Sequence, residues 1–406
     1  MPPLMRYRYR RTLSKLRSKP DDYKFKVVFL VTELSKWKGD SLYDLMNRSS
    51  RFSPEILVCP TQRERADGGD EIKKAIEDKL AFFKSQGKNV RSGWDVKTNS
   101  SIDASETGAD IFFYQQPWEI PEKLDVCCVA HNSLTFYFPY FVANNYQPYL
   151  DTCTWLHHMV FRHIVLNRTV ADTYLSFIAS KGWERRFVGE IVPWGHPMLD
   201  AFLGSPKVDN NSDEVVIYAP HWTFEHPGAE FAVNYGTFLH NGREILAFAK
   251  KHTEIRWAFK PHPVLKKDLV TTGVWTQEEV DDYWREWENF AECCYTSNYA
   301  GLFMRSRAMV TDCGSFLTEY SCTGRPLIRL IASRDKTPAS PFTKDLFRTF
   351  YLVRNLDEMY RCFDRVLLKK EDPNRQIREE TLRRMQLGVA SASDAILRQI
   401  QGMLGC

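Results

Sequence analysis

The sequence has no apolar run long enough to span a membrane. Its longest stretch without Asp, Glu, Lys or Arg, Val126–Leu150, is broken by His131, Asn132, Pro139, Asn144, Asn145, Gln147 and Pro148. That many polar groups and breakers exclude a lipid-facing helix. No secretory leader is expected, since Ser14, Lys15, Arg17 and Ser18 interrupt any apolar segment after the basic start. None of the ten cysteines forms a Cys-x-x-Cys pair, which removes zinc-ribbon and thioredoxin-like readings. Cys59, Cys127–Cys128 and Cys293–Cys294 lie in apolar stretches that read as strands, where a thiol acts as a small core residue. The compartment therefore reads as reducing. No carboxylate pair or Asp-x-Asp segment stands out, so neither a metal nor a cofactor is expected.

What is present describes a folded protein of two domains: 406 residues, 43% hydrophobic and 26% charged. Aromatic residues reach 14%, which calls for large apolar contact surfaces or stacking sites. Charge is unevenly placed. Residues 1–20 hold seven basic side chains (Arg6, Arg8, Arg10, Arg11, Lys15, Arg17, Lys19) and no acid, and the other 386 carry 48 basic against 51 acidic. The positive charge reads as an N-terminal arm.

Strand and helix signals alternate, the pattern of parallel α/β domains. In the first half, Lys26–Leu34, Phe52–Cys59, Ile111–Tyr114, Val126–Ala130 and Arg162–Leu166 read as strands. Helical spacing covers Ser41–Arg48, Asp70–Lys84 and Val170–Ser180. Turn formers at Gly204–Asp213 mark a joint. The pattern then restarts with strands at Val215–Tyr218, Ile255–Phe259, Ala291–Tyr295, Ala308–Thr311, Pro326–Ile331 and Phe350–Val353, and ends in amphipathic helices. The expected organisation is a basic arm (1–20), a first domain (21–203), a second domain (214–354) and C-terminal helices (355–406).

Ligands of doubly wound sheets sit at the carboxyl ends of strands, so the residues that follow each strand matter most. Four clusters occupy such places: His131-Asn132-Ser133, Pro220-His221-Trp222, Lys260-Pro261-His262-Pro263 and Thr311-Asp312-Cys313-Gly314-Ser315. Gly314 and Ser315 open a helix, whose first N–H groups suit a phosphate, with Thr311 or Ser315 adding a hydroxyl. Ser315 is equally suited to capping its own helix. Glu319, one turn further on, is placed to accept from ribose hydroxyls or to lie at the surface. The prolines around His262 stiffen its backbone, and a protonated His262 beside Lys260 would meet a pyrophosphate. His221 and Trp222 read as pocket walls or as core.

In this order the clusters resemble the CDP-glycerol glycerophosphotransferase family, the teichoic-acid and capsule polymer enzymes, in a divergent branch nearer the Gram-negative capsule type. His131-Asn132-Ser133-Leu134 stands where the family has a His-Gly-Thr-Pro-Leu-Lys segment, and Gly195–Asp200 matches Gly-x-Pro-x-x-Asp. Lys-Pro-His-Pro is intact at Lys260–Pro263, and Ser306–Tyr320 follows the family's Ser-Asp-x-x-Ile-Thr-Asp segment with Arg307 in place of its Asp. The resemblance implies a GT-B-like α/β fold: two Rossmann-type domains across a cleft, with the nucleotide in the second. It further implies transfer of glycerol phosphate from a CDP-alditol donor to a polysaccharide or lipid-linked glycan hydroxyl, releasing CMP. His131 would be the base. His262, Thr311, Gly314 and Ser315 would hold the pyrophosphate with Lys260 in support, Asp312 would orient His262 or hold the turn, and Glu319 would bind the ribose. A nucleotide-sugar GT-B glycosyltransferase and an inactive polysaccharide-binding subunit are the rival readings. No nucleic-acid partner is expected. The basic arm, with Leu4, Met5, Tyr7, Tyr9, Leu13 and Leu16 interleaved, suits an anionic surface on the inner face of the cell membrane, the protein being otherwise cytoplasmic.

Overall fold

The computed structural model describes residues 1–67, 69–142, 154–203, 214–224, 236–296, 299–332, 340–385 and 390–406. The joint expected at Gly204–Asp213 lies outside these residues, as does the second part of the uncharged stretch, with Tyr146 and Tyr149. The chain divides into two compact units. The first comprises Met1–Val142, the described residues up to Asp200, and Ser391–Cys406; the second comprises the described residues from Ala201 to Ala390.

The first unit begins with helix α1 (Pro2–Arg17), then strands β1 (Phe25–Val31), β2 (Phe52–Val58) and β3 (Val90–Ser92). Strand β4 (Ile111–Tyr114), the short helix α2 (Val126–Val129) and strand β5 (Leu134–Tyr137) follow, then β6 (Arg162–Ile164), helix α3 (Arg168–Ser180) and β7 (Glu190–Val192). All seven strands are parallel, in the order β3-β2-β1-β4-β5-β6-β7. Strand β1 (FKVVFLV) is buried at six of its seven positions, as a central parallel strand covered on both faces must be.

Three expectations fail here for identifiable reasons. Val126–Ala130 is one turn of helix, not a strand. Asp125 caps it by accepting from Cys127 N at 2.9 Å, and Val126 and Val129 face inward at helical spacing. Cys128 is consequently exposed and Cys127 half-buried, so neither is a strand core residue. The basic arm is α1 itself, docked on the first unit's core: Met5, Tyr9 and Leu16 are buried. The Tyr9 hydroxyl donates to the Met159 carbonyl at 2.9 Å and meets Thr135 Oγ1 at 2.5 Å. Finally, the last helix, α10 (Ala392–Leu404), belongs to the first unit, where Ile396, Leu397, Ile400 and Leu404 join the core.

That return is held by the Gly195–Asp200 segment. The Asp200 carboxylate accepts from Ser391 Oγ (3.0 Å), Ala392 N (2.7 Å) and Ser393 N (2.9 Å), capping the start of α10. Gly195 has φ +96°, and a Cβ there would come within 2.6 Å of the Ala392 Cβ, so only glycine admits the helix start so close.

The second unit repeats the design with β8 (Val215–Ala219), helix α4 (Phe238–Lys251), β9 (Trp257–Phe259), helix α5 (Leu265–Thr271) and helix α6 (Gln277–Glu288). Then come β10 (Glu292–Cys293), helix α7 (Ala300–Arg305), β11 (Ser306–Thr311), helix α8 (Gly314–Ser321), β12 (Leu327–Leu330), β13 (Tyr351–Val353) and helix α9 (Arg375–Arg384). The sheet is parallel throughout, ordered β10-β9-β8-β11-β12-β13. Much of the aromatic content is spent on its core, where Trp287 stacks on Phe259 at 4.9 Å and Trp257, Tyr283 and Trp284 pack around them.

Candidate active site

Three strand ends of the second unit are stitched into one edge. Beyond β8, Pro220 offers its carbonyl to His262 N at 3.0 Å, which ties the β9 loop to the β8 loop. Beyond β11, Asp312 is buried and accepts from His221 N at 2.6 Å. Its other oxygen accepts from Thr237 N (2.6 Å) and Thr237 Oγ1 (2.9 Å). Burial pushes the Asp312 carboxyl up, opposed by these donors. Asp312 thus fixes the His221 loop, not the His262 ring. Gly236 completes the brace, because a Cβ there would fall 1.5 Å from the Thr223 carbonyl oxygen.

The brace sets two imidazoles side by side, ring centroids 5.5 Å apart, with Trp222 6.1 Å from His262. Desolvation, with His262 adding to it, pushes the His221 imidazole down to about 3, so the ring is neutral at physiological pH. Its Nδ1 faces the Thr223 hydroxyl at 2.9 Å and the Thr223 N–H at 3.3 Å. An N–H donor there assigns the ring proton to Nε2. His262 Nδ1 likewise accepts from Val264 N at 3.3 Å. Both rings therefore present Nε2–H donors.

Helix α8 starts at the same edge, immediately after Cys313. Lys260 is buried, its Nζ 5.3 Å from the Tyr299 ring centre and 5.9 Å from that of Phe316, in the first turn of α8. Gly314 is buried and Ser315 half-buried, with its Oγ 3.4 Å from Cys313 Sγ.

Other expected roles change. Thr311 is fully buried, and its hydroxyl donates to the Ala219 carbonyl at 2.6 Å while accepting from Cys313 N at 2.9 Å. That hydroxyl is committed to holding the turn. Glu319 is buried and accepts from the Tyr299 hydroxyl at 2.6 Å. His131 and Asn132 are exposed in the turn before β5, at the amino edge of the first sheet, and Ser133 Oγ donates to the Ala109 carbonyl at 2.6 Å. With α2 a helix, the premise that put His131 at a strand's carboxyl end is gone. Thr237, which anchors Asp312 from 75 residues away, carries no motif that would announce it. Among the described residues, no three His, Cys, Asp or Glu side chains come together as a metal site.

These paired doubly wound units have the GT-B-like fold, and solved structures share it across nearly the whole chain. The wall teichoic acid polymerase TagF matches with a TM-score of 0.56 at 16% identity, over 98% of this chain and 95% of that one. Staphylococcus aureus MnaA in complex with UDP matches at 0.57 and 11% identity, over 94% and 97%. UDP-GlcNAc 2-epimerase from Neisseria meningitidis, bound to UDP-GlcNAc, matches at 0.52 and 13%, over 93% and 100%. No family model and no curated protein matches the chain.

Proposed function

We propose that the protein is a transferase acting on a nucleotide-diphosphate donor held by the second unit, and that it moves glycerol phosphate from a CDP-alditol to a glycan hydroxyl. The observation that carries this reading is the pair of Nε2–H imidazoles, His221 and His262, beside the start of α8. Fixed N–H donors and a helix start suit a pyrophosphate whose leaving half gains charge. In the reaction the acceptor oxygen gives up its hydroxyl proton to water and bonds to the β-phosphorus, the bridging P–O bond breaks, and CMP leaves with its electron pair. His221, His262, Ser315 and the α8 N–H groups offset that charge, and Lys260 supports them. Asp312, Thr311 and Gly314 keep the turn in shape. His131 has no part in this reading.

The likeness to TagF supports the CDP-glycerol donor, while the likeness to MnaA and the Neisseria epimerase supports a second reading, a nucleotide-sugar enzyme. Incubation with CDP-glycerol and with UDP-GlcNAc separates them. CMP release sustains the first, and UDP release or a 2-epimer sustains the second. Failure to bind either nucleotide sinks both and leaves a polysaccharide-binding subunit.

Membrane attachment through α1 belongs to the same proposal. Leu4 and Tyr7 remain 49% and 64% exposed, with Arg10, Arg11 and Lys15 also at the surface. Among the described residues, no helix is long and apolar enough to cross a membrane. Because α1 is part of the core, charge reversal at Arg10, Arg11 and Lys15 is the test. Unchanged binding to phosphatidylserine vesicles would refute attachment.

A further inference from the structure

The carboxyl edge of the first sheet carries its own built feature. Beyond β4 comes Gln115-Gln116-Pro117-Trp118, and beyond β5 comes Phe138-Pro139-Tyr140. The Gln116 amide is buried and donates both to Thr32 Oγ1, just past β1, at 2.7 Å and to the Trp118 carbonyl at 3.1 Å. On the other side, Glu119 sits at φ +62°, and its carboxylate accepts from Gln62 N and pairs with Arg65 at 3.7 Å. Trp118 is thus fastened from both sides, yet 44% of it is exposed.

An indole held out in water by a buried amide and a left-handed residue is a cost the fold sustains. Its neighbours give that exposure a use. Tyr140 lies edge-on, 5.8 Å from Trp118. Lys36, in the 3-10 turn Leu34–Lys36 after β1, places Nζ 4.1 Å from the Tyr140 ring centre and 5.9 Å from the indole centre. Glu33 is the nearby carboxylate, 4.0 Å from Nζ. One flat ring and one cation therefore stand together at the edge where parallel sheets take ligands.

We infer that Trp118, Tyr140 and Lys36 form a sugar-phosphate subsite. The indole stacks on the apolar C–H face of a pyranose, and the Lys36 ammonium, held by Tyr140, meets a phosphate carried on that ring. Calling this ligand the acceptor rests on the proposed transferase reading; the binding itself does not.

The test uses the full-length protein with glucose 1-phosphate, glucose and inorganic phosphate, read by saturation-transfer NMR on the ring protons and by Trp fluorescence. Glucose 1-phosphate should bind, glucose about tenfold more weakly, and inorganic phosphate should not compete at equal concentration. Trp118→Ala should abolish saturation transfer and Trp118→Phe restore part of it. Lys36→Met should weaken glucose 1-phosphate about tenfold and leave glucose unchanged. CDP and UDP affinities, measured on the same variants, should stay within about twofold. Absence of glucose 1-phosphate binding, its persistence in Trp118→Ala, or equal losses for glucose and glucose 1-phosphate in Lys36→Met would each overturn the subsite. If the sugar phosphate binds through Trp118 but no nucleotide binds the wild type, the transferase reading falls and the subsite stands.

Discussion

In the first unit, His163 is buried inside β6, and neither of its ring nitrogens has a partner among the described residues. His196, also buried, spends its Nε2 on the Pro139 carbonyl at 2.6 Å. In the second unit, His221 and His262 stand half-buried at the carboxyl edge, backed by Asp312 and by prolines. Aromatics run the other way: the second unit encloses Trp257, Trp284 and Trp287 around Phe259, while the first holds Trp118 in solvent. Two sheets of one design thus differ in what they bring to the edge, hydrogen-bond donors in one and a stacking face in the other. Topology places an edge, and loop anchors decide its chemistry.

The largest expected effect comes from deleting residues 391–406. It removes Ile396, Leu397, Ile400 and Leu404 from the first core. At about 1.5–3 kcal/mol each, the loss rivals a whole domain's stability. Limited proteolysis should then digest the first unit and spare a fragment near 201–390. Next, the double variant His221→Ala with His262→Ala should lower donor turnover by about 10³-fold or more, with a melting temperature near wild type by calorimetry. Asp312→Ala leaves buried donors of His221 and Thr237 unmatched, at about 1–3 kcal/mol per donor. Urea denaturation should show the second unit weakened and isothermal titration the nucleotide affinity reduced, with glucose 1-phosphate binding kept.

Acid should weaken both units, since the second also holds an imidazole, His221, pushed down to about 3. Desolvation pushes the imidazoles of His163 and His196 down to about 3 and about 4, from the ordinary 6.5. The unfolded chain therefore binds more protons than the folded one across that interval. The stability these residues contribute is complete above about pH 6.5 and is lost as pH falls toward 4 and then 3. His163→Phe should flatten that slope in denaturant midpoints measured across the interval. The smallest effect is expected for His131→Ala, which should keep turnover within about twofold of wild type; a large loss would return the base to the first unit and overturn the amino-edge argument.

The parallel strands were legible where β-branched residues fill both faces, as in β1 and β8. The failure at Val126–Ala130 is instructive, because five apolar residues fit a buried strand and a capped helical turn equally. Asp125, not the apolar run, decides between them. For α1, six basic side chains hid a buried stripe of Met5, Tyr9 and Leu16. The strand-end clusters of the second unit were readable as residues that follow strands. Their mutual bracing was not, since Asp312 reaches His221 across 91 positions and Thr237 across 75. No local pattern encodes such pairs.

The return of α10 to the first unit has a temporal side. Arg17 Nε donates to the Met403 carbonyl at 2.7 Å, joining the first helix of the chain to the last. During synthesis the stretch 201–390, which carries the core of the second unit, is made before residues 391–406. The first unit, though translated earlier, waits with the seat for Ile396, Ile400 and Leu404 open until those residues emerge. Its folding waits on that segment, so products that stop before Ser391 carry an uncovered apolar face that holdase chaperones and proteases can read.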